Sequence, residues 1–278
     1  MCSASCAPAL RCDGDMMPPD VRPRMPGAQW RVSPTGATRM RPSPLTALAP
    51  TPRAAVEQLR RSAAVPAGPG DHFHGWGVMG LTFASGHVLG LRRWEASSLG
   101  TPYAAVWHRD PGGRWRVISD VAADLSCARY ISALTSESQV LPIALTWEAD
   151  DALEVRVDGI GLRWRLTFAS HPLFVGYAGF AALAPAAAVR SAPARWMLER
   201  VGAPLLGAGR IRLAGRMPNG QRYRLLPERM WLVATSEATL HGRALGVPEP
   251  PMRPVRLGEF IVPERGILAM ARASFDCP

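Results

Sequence analysis

Four side chains of this sequence have the chemistry of acid–base catalysis. His74, His87 and His108 carry imidazoles, which exchange a proton near neutral pH, and Asp110 follows two residues after His108. This spacing suits a general base and the carboxylate that orients it. Asp110 also precedes Pro111 in a turn, where an aspartate usually bonds to its own backbone. We favour the turn role for Asp110, and the catalytic candidates of an enzyme hypothesis are His74, His87, His108 and Asp110.

Two histidines, His72 and His74, are separated by a single residue. In an extended strand their side chains point to the same side, a spacing that can bind a metal ion. A third ligand would be required, and His87 and Glu95 are the candidates. Residues 75–79 lack the glutamate that a cupin-type site places shortly after its histidine pair. We therefore predict no metal site and no cofactor.

Nine tryptophans give the chain large aromatic surfaces, and seven of them lie in or beside predicted strands. Inside a β-barrel such side chains can line a site for a flat, apolar ligand. Plain core packing is the alternative for each of them. The residues predicted to bind a ligand are Trp76, Trp94, Trp107 and Trp164.

The candidate residues lie in segments that alternate apolar and polar side chains. Residues 153–158 and 162–168 alternate throughout and are joined by an Asp-Gly-containing turn, a pattern typical of an antiparallel hairpin. The pattern recurs around the turns at residues 109–114 and 218–220. These repeated hairpins predict a mainly β fold, either an antiparallel barrel or a two-sheet sandwich.

The alternation stops over residues 173–207. Residues 173–189 are 17 uncharged residues interrupted by Pro185, and residues 194–206 have apolar side chains at roughly helical spacing. This predicts a short helical insertion rather than a membrane-spanning helix, because the run is short and lies between hairpins that share one core. A peripheral membrane contact is a further hypothesis for four side chains of the run, Leu173, Phe174, Tyr177 and Phe180.

The first part of the chain has a different composition. Residues 1–70 contain 12 of the 27 prolines and nine of the 32 arginines, and they show little hydrophobic periodicity. We predict a disordered Pro/Arg-rich leader over residues 1–70 and an antiparallel β domain over residues 71–278. One short helix is predicted within the leader at residues 52–64, with Thr51 as its N-cap. Residues 1–30 lack a continuous apolar segment, so a cytoplasmic location is expected.

The net charge of +10 comes from arginine alone, since the chain has no lysine. Exclusive use of arginine together with many Ala, Gly and Pro residues indicates GC-rich coding rather than selection for phosphate binding, and we predict no nucleic-acid partner. Arginines on the polar face of predicted strands, such as Arg163, Arg165, Arg210 and Arg212, give one alternative function, a binder of anions or membrane surfaces.

Four segments together resemble a family of uncharacterised proteins from high-GC actinobacteria: residues 74–77 (HGWG), 85–89 (SGHVL), 106–111 (VWHRDP) and 215–221 (GRMPNGQ). The resemblance covers about residues 72–275 and implies no activity and no catalytic residue. In the layout of its hairpins and its use of Trp, the chain is more distantly similar to lipocalin-type and carotenoid-hydratase-type β proteins, an analogy of fold.

These observations favour a protein that binds a small apolar or amphipathic molecule of the lipid or isoprenoid class. The alternatives are a hydratase- or isomerase-type enzyme on the same scaffold, and the arginine-rich binder of anions or membrane surfaces.

Overall fold

The computed structural model describes residues 50–276, except residues 184, 186, 187, 189 and 190. These residues form a mainly β fold with a few short helices, which confirms the predicted fold class. The strands are β1 (Asp71–Thr82), β2 (Val88–Ser97), β3 (Tyr103–Arg109), β4 (Trp115–Ser119), β5 (Thr135–Val140), β6 (Ala144–Ala149), β7 (Ala152–Val157), β8 (Leu162–Ala169), β9 (Ala214–Arg216), β10 (Arg222–Leu240), β11 (Arg243–Ala244), β12 (Arg256–Leu257), β13 (Phe260–Ile261) and β14 (Ile267–Phe275). The helices are α1 (Pro52–Ser62), α2 (Ala128–Ile131), α3 (Pro172–Leu183), α4 (Ala192–Met197) and α5 (Ala203–Leu205), with a π-helical turn at Leu198–Gly202 and 3₁₀ turns at Ala123–Leu125 and Asp158–Ile160.

Among the described residues, twelve strands belong to one curled sheet, in the order β5-β4-β3-β2-β1-β14-β10-β8-β7-β6, with β9 and β11 paired to β10. Neighbours on this path are antiparallel except β4 and β5, which are parallel. The two edge strands β5 and β6 are consecutive in the chain and are separated only by residues 141–143. Such a connection spans at most about 14 Å, so the sheet must curl until its two edges approach each other. The result is a half-barrel.

Proline affects the strands at two places. The strands β5 and β6 are separated at Pro142, which has no N–H to donate to a ladder. The long strand β10, in contrast, continues through Pro227. Pro227 is accommodated there because the register with β14 shifts between Pro227 and Arg229, and a bulge is where a sheet tolerates proline.

The two faces of the sheet carry separate apolar clusters. Val78 and Trp231 belong to an inner-face cluster that joins most strands of the sheet and α1, whereas the next residue in each case, Met79 or Leu232, packs on the outer face. The outer face is covered at one end by α2 and the β12–β13 pair, and elsewhere by the helical insertion. The insertion therefore packs on β10 and β14.

The predicted helical insertion is present as α3, α4, the π-helical turn and α5. Phe174 of α3 and Ala203 of α5 are buried against Leu232 and Ile267 of the sheet. Across the described part of the chain, every helix is too short or too polar to cross a membrane.

The helix predicted at residues 52–64 is also present, as α1. The Thr51 side chain accepts a hydrogen bond from the Ala54 N–H, and Pro52 occupies the first turn. Ala55, Val56 and Leu59 are buried in the inner-face cluster. This helix lies within the segment assigned to the leader, and it packs onto the core of the β domain. Residues 1–49 lie outside the described residues.

We expect Thr51→Ala to lower the free energy of unfolding by about 1 kcal/mol, because the first turn of α1 loses its side-chain acceptor. Urea denaturation followed by tryptophan fluorescence measures the change. Thr51→Ser keeps the hydroxyl and serves as the matched control, with stability close to that of the wild type. Equal stability of the Ala and Ser variants would show that the cap contributes nothing.

Candidate functional site

A cavity of about 1160 Å³, the main cavity, lies between the helical insertion and the sheet. Side chains of α3, α4 and the π-helical turn form one wall, and residues 224–227 of β10 with residues 272–274 of β14 form the other. Residues 64–66, which follow α1, His72 and Phe73 of β1, and Leu213 also line it. Most lining side chains are apolar, and the volume exceeds the few hundred Å³ that a drug-sized ligand occupies. The main cavity can therefore hold a molecule with a long apolar part.

The uncharged run of the sequence supplies one wall of this cavity. Leu173, Phe174, Tyr177 and Phe180, the residues named for a membrane contact, all line the main cavity. Phe174 is buried, and the Tyr177 hydroxyl donates a 2.8 Å hydrogen bond to the Pro227 carbonyl. Burial raises the pKa of Tyr177 to about 12, so the hydroxyl keeps its proton at neutral pH. The membrane contact stays a prediction, and about half of the Leu173 and Phe180 surfaces is exposed.

Three arginines, Arg195, Arg224 and Arg272, are among the polar side chains lining the main cavity. The Arg272 Nε donates to Glu228 Oε1 at 2.9 Å. Within the described residues, neither Arg195 nor Arg224 forms an ion pair. The main cavity therefore has an apolar interior with positive charge on its lining.

His74 belongs to a network beside this cavity. The Ala64 N–H donates to His74 Nδ1, so the proton of the neutral ring lies on Nε2 and is donated to Glu228 Oε2 at 3.0 Å. Arg272 donates to the other oxygen of Glu228 and to the Ala64 carbonyl. Burial acts to raise the pKa of Glu228, but the hydrogen bond from His74 and the charge and hydrogen bond of Arg272 outweigh it and lower this pKa. The ionised carboxylate of Glu228 thus holds His74 in place. The network joins the neighbouring strands β1, β14 and β10.

His87 and His108, two of the catalytic candidates, are in direct contact. His87 Nδ1 and His108 Nε2 are 2.8 Å apart, and the two rings are stacked. Asp110 does not orient His108, because its two oxygens accept from the backbone and side chain of Arg114 within the turn. Burial, followed by the charges of His87 and Arg116, lowers the pKa of His108 to about 4. Neither histidine lines the main cavity.

No group of three His, Cys, Asp or Glu side chains that could hold a metal ion occurs in the part of the chain that the structure describes. His72 Nε2 bonds to the Pro69 carbonyl, and Glu95 accepts from the indole of Trp76 at 3.0 Å. The histidine pair of the sequence therefore has separate partners.

The tryptophans named for ligand binding divide between the two faces of the sheet. Trp76 and Trp164 belong to the inner-face cluster. The Trp164 indole N–H donates to Ser236 Oγ at 2.9 Å, and the side chain is fully buried. Trp94 and Trp107 belong to the outer-face cluster.

Two smaller spaces adjoin these side chains. A side cavity of about 110 Å³ is lined by Trp76 and Trp94, and an end cavity of about 30 Å³ is lined by Trp94 and Trp107. The Trp107 indole donates to the buried Cys127 thiol at 3.0 Å, whereas the buried Trp94 Nε1 has no hydrogen-bond partner among the described residues.

Arg92 lines both smaller cavities and was not a candidate from the sequence. Its guanidinium carbon lies 5.4 Å from the centre of the Trp107 ring. One signal in the sequence could have identified it. Arg92 and Arg93 are adjacent on a strand, so their side chains must point to opposite faces of the sheet. Glu228 and Arg272 were also missed, since their role depends on contact with a histidine far away in the sequence.

No family model matches the chain, and no curated protein matches it either. Among solved structures, the chain is similar to acetoacetate decarboxylase from Legionella pneumophila subsp. pneumophila str. Philadelphia 1, with a TM-score of 0.37 and 13% sequence identity. The match covers 76% of this chain and 86% of that chain. We take no activity and no residue role from a similarity at this level, and the resemblance to an actinobacterial family stays a prediction.

Proposed function

We propose that the protein binds a small amphipathic molecule with a long apolar part in the main cavity. The observation that carries this proposal is the volume of about 1160 Å³ with its predominantly apolar lining from the helical insertion and β10. Transfer of apolar surface from water into such a space is favourable by about 25 cal/mol per Å². An acyl or isoprenoid chain provides this surface.

The two alternatives have less support. The enzyme hypothesis keeps the His87–His108 pair, but that pair does not line the main cavity. For the hypothesis of an arginine-rich anion binder, three of the arginines that were named have carboxylate partners. Arg163 and Arg165 both contact Glu154 in ion pairs, and Arg212 contacts Glu259.

We expect Ala194→Trp to weaken ligand binding at least about tenfold, because the indole would occupy space in the main cavity that Ala194 lines. The measurement is fluorescence titration with N-phenyl-1-naphthylamine, a neutral apolar dye, followed by its displacement with dodecanol. Ala192 is exposed on the same helix and does not line the main cavity, so Ala192→Trp is the matched control.

The control should bind the dye as the wild type does. The proposal is overturned if the wild type does not bind the dye, or if Ala194→Trp and the wild type bind it equally.

A further inference from the structure

Arg92 is a cationic side chain in a largely apolar environment. Its guanidinium lies over Gly77 of the neighbouring strand, where a Cβ would come within 2.8 Å of Nη1. Aromatic side chains, Trp94 and Trp107, line the cavities around it. The guanidinium therefore borders open space in two cavities instead of bulk water.

No described carboxylate compensates this charge. The charges that act on Arg92 come from Cys127 and Tyr103. Burial raises the pKa of the Cys127 thiol to about 11 and raises the pKa of Tyr103 as well, so both are neutral at pH 7. Burial lowers the pKa of Arg92 to about 10, which leaves it protonated at the same pH. A desolvated charge without a counter-ion is costly, and an anionic ligand would remove that cost.

A second donor lies beside Arg92. The Trp94 indole N–H is buried without an acceptor in the described residues, whereas Trp76, Trp107 and Trp164 each donate a hydrogen bond. Buried polar groups in folded proteins nearly always have a partner. Arg92 and Trp94 line the same two cavities, so these spaces offer two donors, and the indole N–H of Trp94 has no acceptor among the described residues.

The side cavity adjoins the main cavity. Phe174, Leu198, Leu206 and Leu213 are among the residues that line both. On the sheet, the floor of the side cavity consists of small residues of β1 and β14, Gly75, Gly77, Ala269 and Ala271. One elongated molecule can therefore fill the main cavity and extend a small head group towards Arg92.

We infer that the ligand is an amphipathic carboxylate whose head group binds the guanidinium of Arg92 and the indole N–H of Trp94 while its apolar chain fills the main cavity. The inference rests on the proposed function, because head and chain belong to one molecule. Arg92 supplies one positive charge, and the other arginine of the side cavity, Arg212, already pairs with Glu259 at 3.0 Å. A monoanion is neutralised by this arrangement, and a planar carboxylate matches the guanidinium with two parallel hydrogen bonds.

The test compares dodecanoate with dodecanol, which have the same chain length and differ in the head group. Dissociation constants are measured by displacement of N-phenyl-1-naphthylamine at pH 7.5. We expect the wild type to bind dodecanoate about 10- to 100-fold more tightly than dodecanol. Arg92→Met should abolish this preference and leave the affinity for dodecanol within about threefold. Arg224→Met removes a cation that lines the main cavity only, and it should keep the preference.

The outcomes separate the two proposals. Equal binding of both probes by the wild type overturns the inference and leaves the proposed function standing, whereas binding of neither probe overturns the proposed function. Loss of the preference in Arg224→Met but not in Arg92→Met places the head group elsewhere and overturns the inference.

A measurement on the wild type covers the case in which Arg92→Met does not fold. The carboxylate of bound [1-¹³C]dodecanoate should keep a constant chemical shift between pH 7 and pH 5, because a neighbouring guanidinium lowers its pKa. A carboxylate buried without a cation would have a raised pKa and would titrate in this interval. Titration there overturns the inference.

Discussion

Acidification from pH 7 to pH 4 is expected to lower the free energy of unfolding, and His108 alone should account for about 3 kcal/mol of the loss. His108 is buried, and burial followed by the charges of His87 and Arg116 lowers its pKa from 6.5 to about 4. In the unfolded chain the imidazole takes up a proton below about pH 6.5. Between these two pH values the unfolded state binds more protons than the folded state, so stability falls as the pH falls. The destabilisation that His108 causes is absent above the pKa of its imidazole in the unfolded chain. It is complete below the pKa of the same imidazole in the folded protein.

Urea denaturation at pH 7, 5.5 and 4 of the wild type and of His108→Gln measures this contribution. The variant should lose about 2–3 kcal/mol less than the wild type over that range. Asp110, Glu154 and Glu228 have lowered pKa values and add to the loss at the acidic end in both proteins. His87 also has a lowered pKa and contacts His108, so the difference between the proteins reports His108 together with its coupling to His87. The exposed residue His241 also acts on His108 and is present in both. Parallel pH dependence of the two proteins would contradict the assignment.

The hairpins could be predicted because their determinants are local. The alternation over residues 153–168 contains both the faces and the turn of β7 and β8, and the structure pairs Leu153 with Leu166 and Val157 with Leu162. The order of the sheet depends on distant partners. The last strand, β14, lies between β1 and β10, and only this placement brings Glu228 to His74. No periodicity within a window of the sequence carries that information.

The candidate site, like the fold, could be predicted from the sequence only where its determinants are local. The aromatic and apolar composition indicates a ligand-binding protein, and residues 173–189 stand out in the sequence as an uncharged run. Whether Arg92 faces water or a cavity depends on how the insertion and the sheet together enclose the side cavity, which the alternation of β2 does not reveal. Likewise, the sequence does not distinguish the four candidate tryptophans from one another. They differ in the partner of each indole N–H, which only the tertiary structure supplies.

The largest loss of stability is expected for Trp164→Ala, at about 3–5 kcal/mol. Trp164 is fully buried in the inner-face cluster, so the substitution removes its ring contacts and leaves a cavity. It also removes the donor to the buried Ser236 hydroxyl. Thermal and urea denaturation measure the change. A loss below about 1 kcal/mol would show that Trp164 is not a core residue.

Trp164→Phe separates this packing role from the ligand-binding role predicted for Trp164 from the sequence. Phenylalanine keeps an aromatic ring in the core but leaves Ser236 Oγ without its donor, and Ser236→Ala in the same chain should recover part of the lost stability. Trp164 lines neither the main cavity nor the side and end cavities, so the folded Trp164→Phe variant should bind dodecanol within about twofold of the wild type. A tenfold weaker affinity in a variant of native stability would restore Trp164 to the ligand site. Unchanged affinity with lowered stability assigns its indole to the core alone.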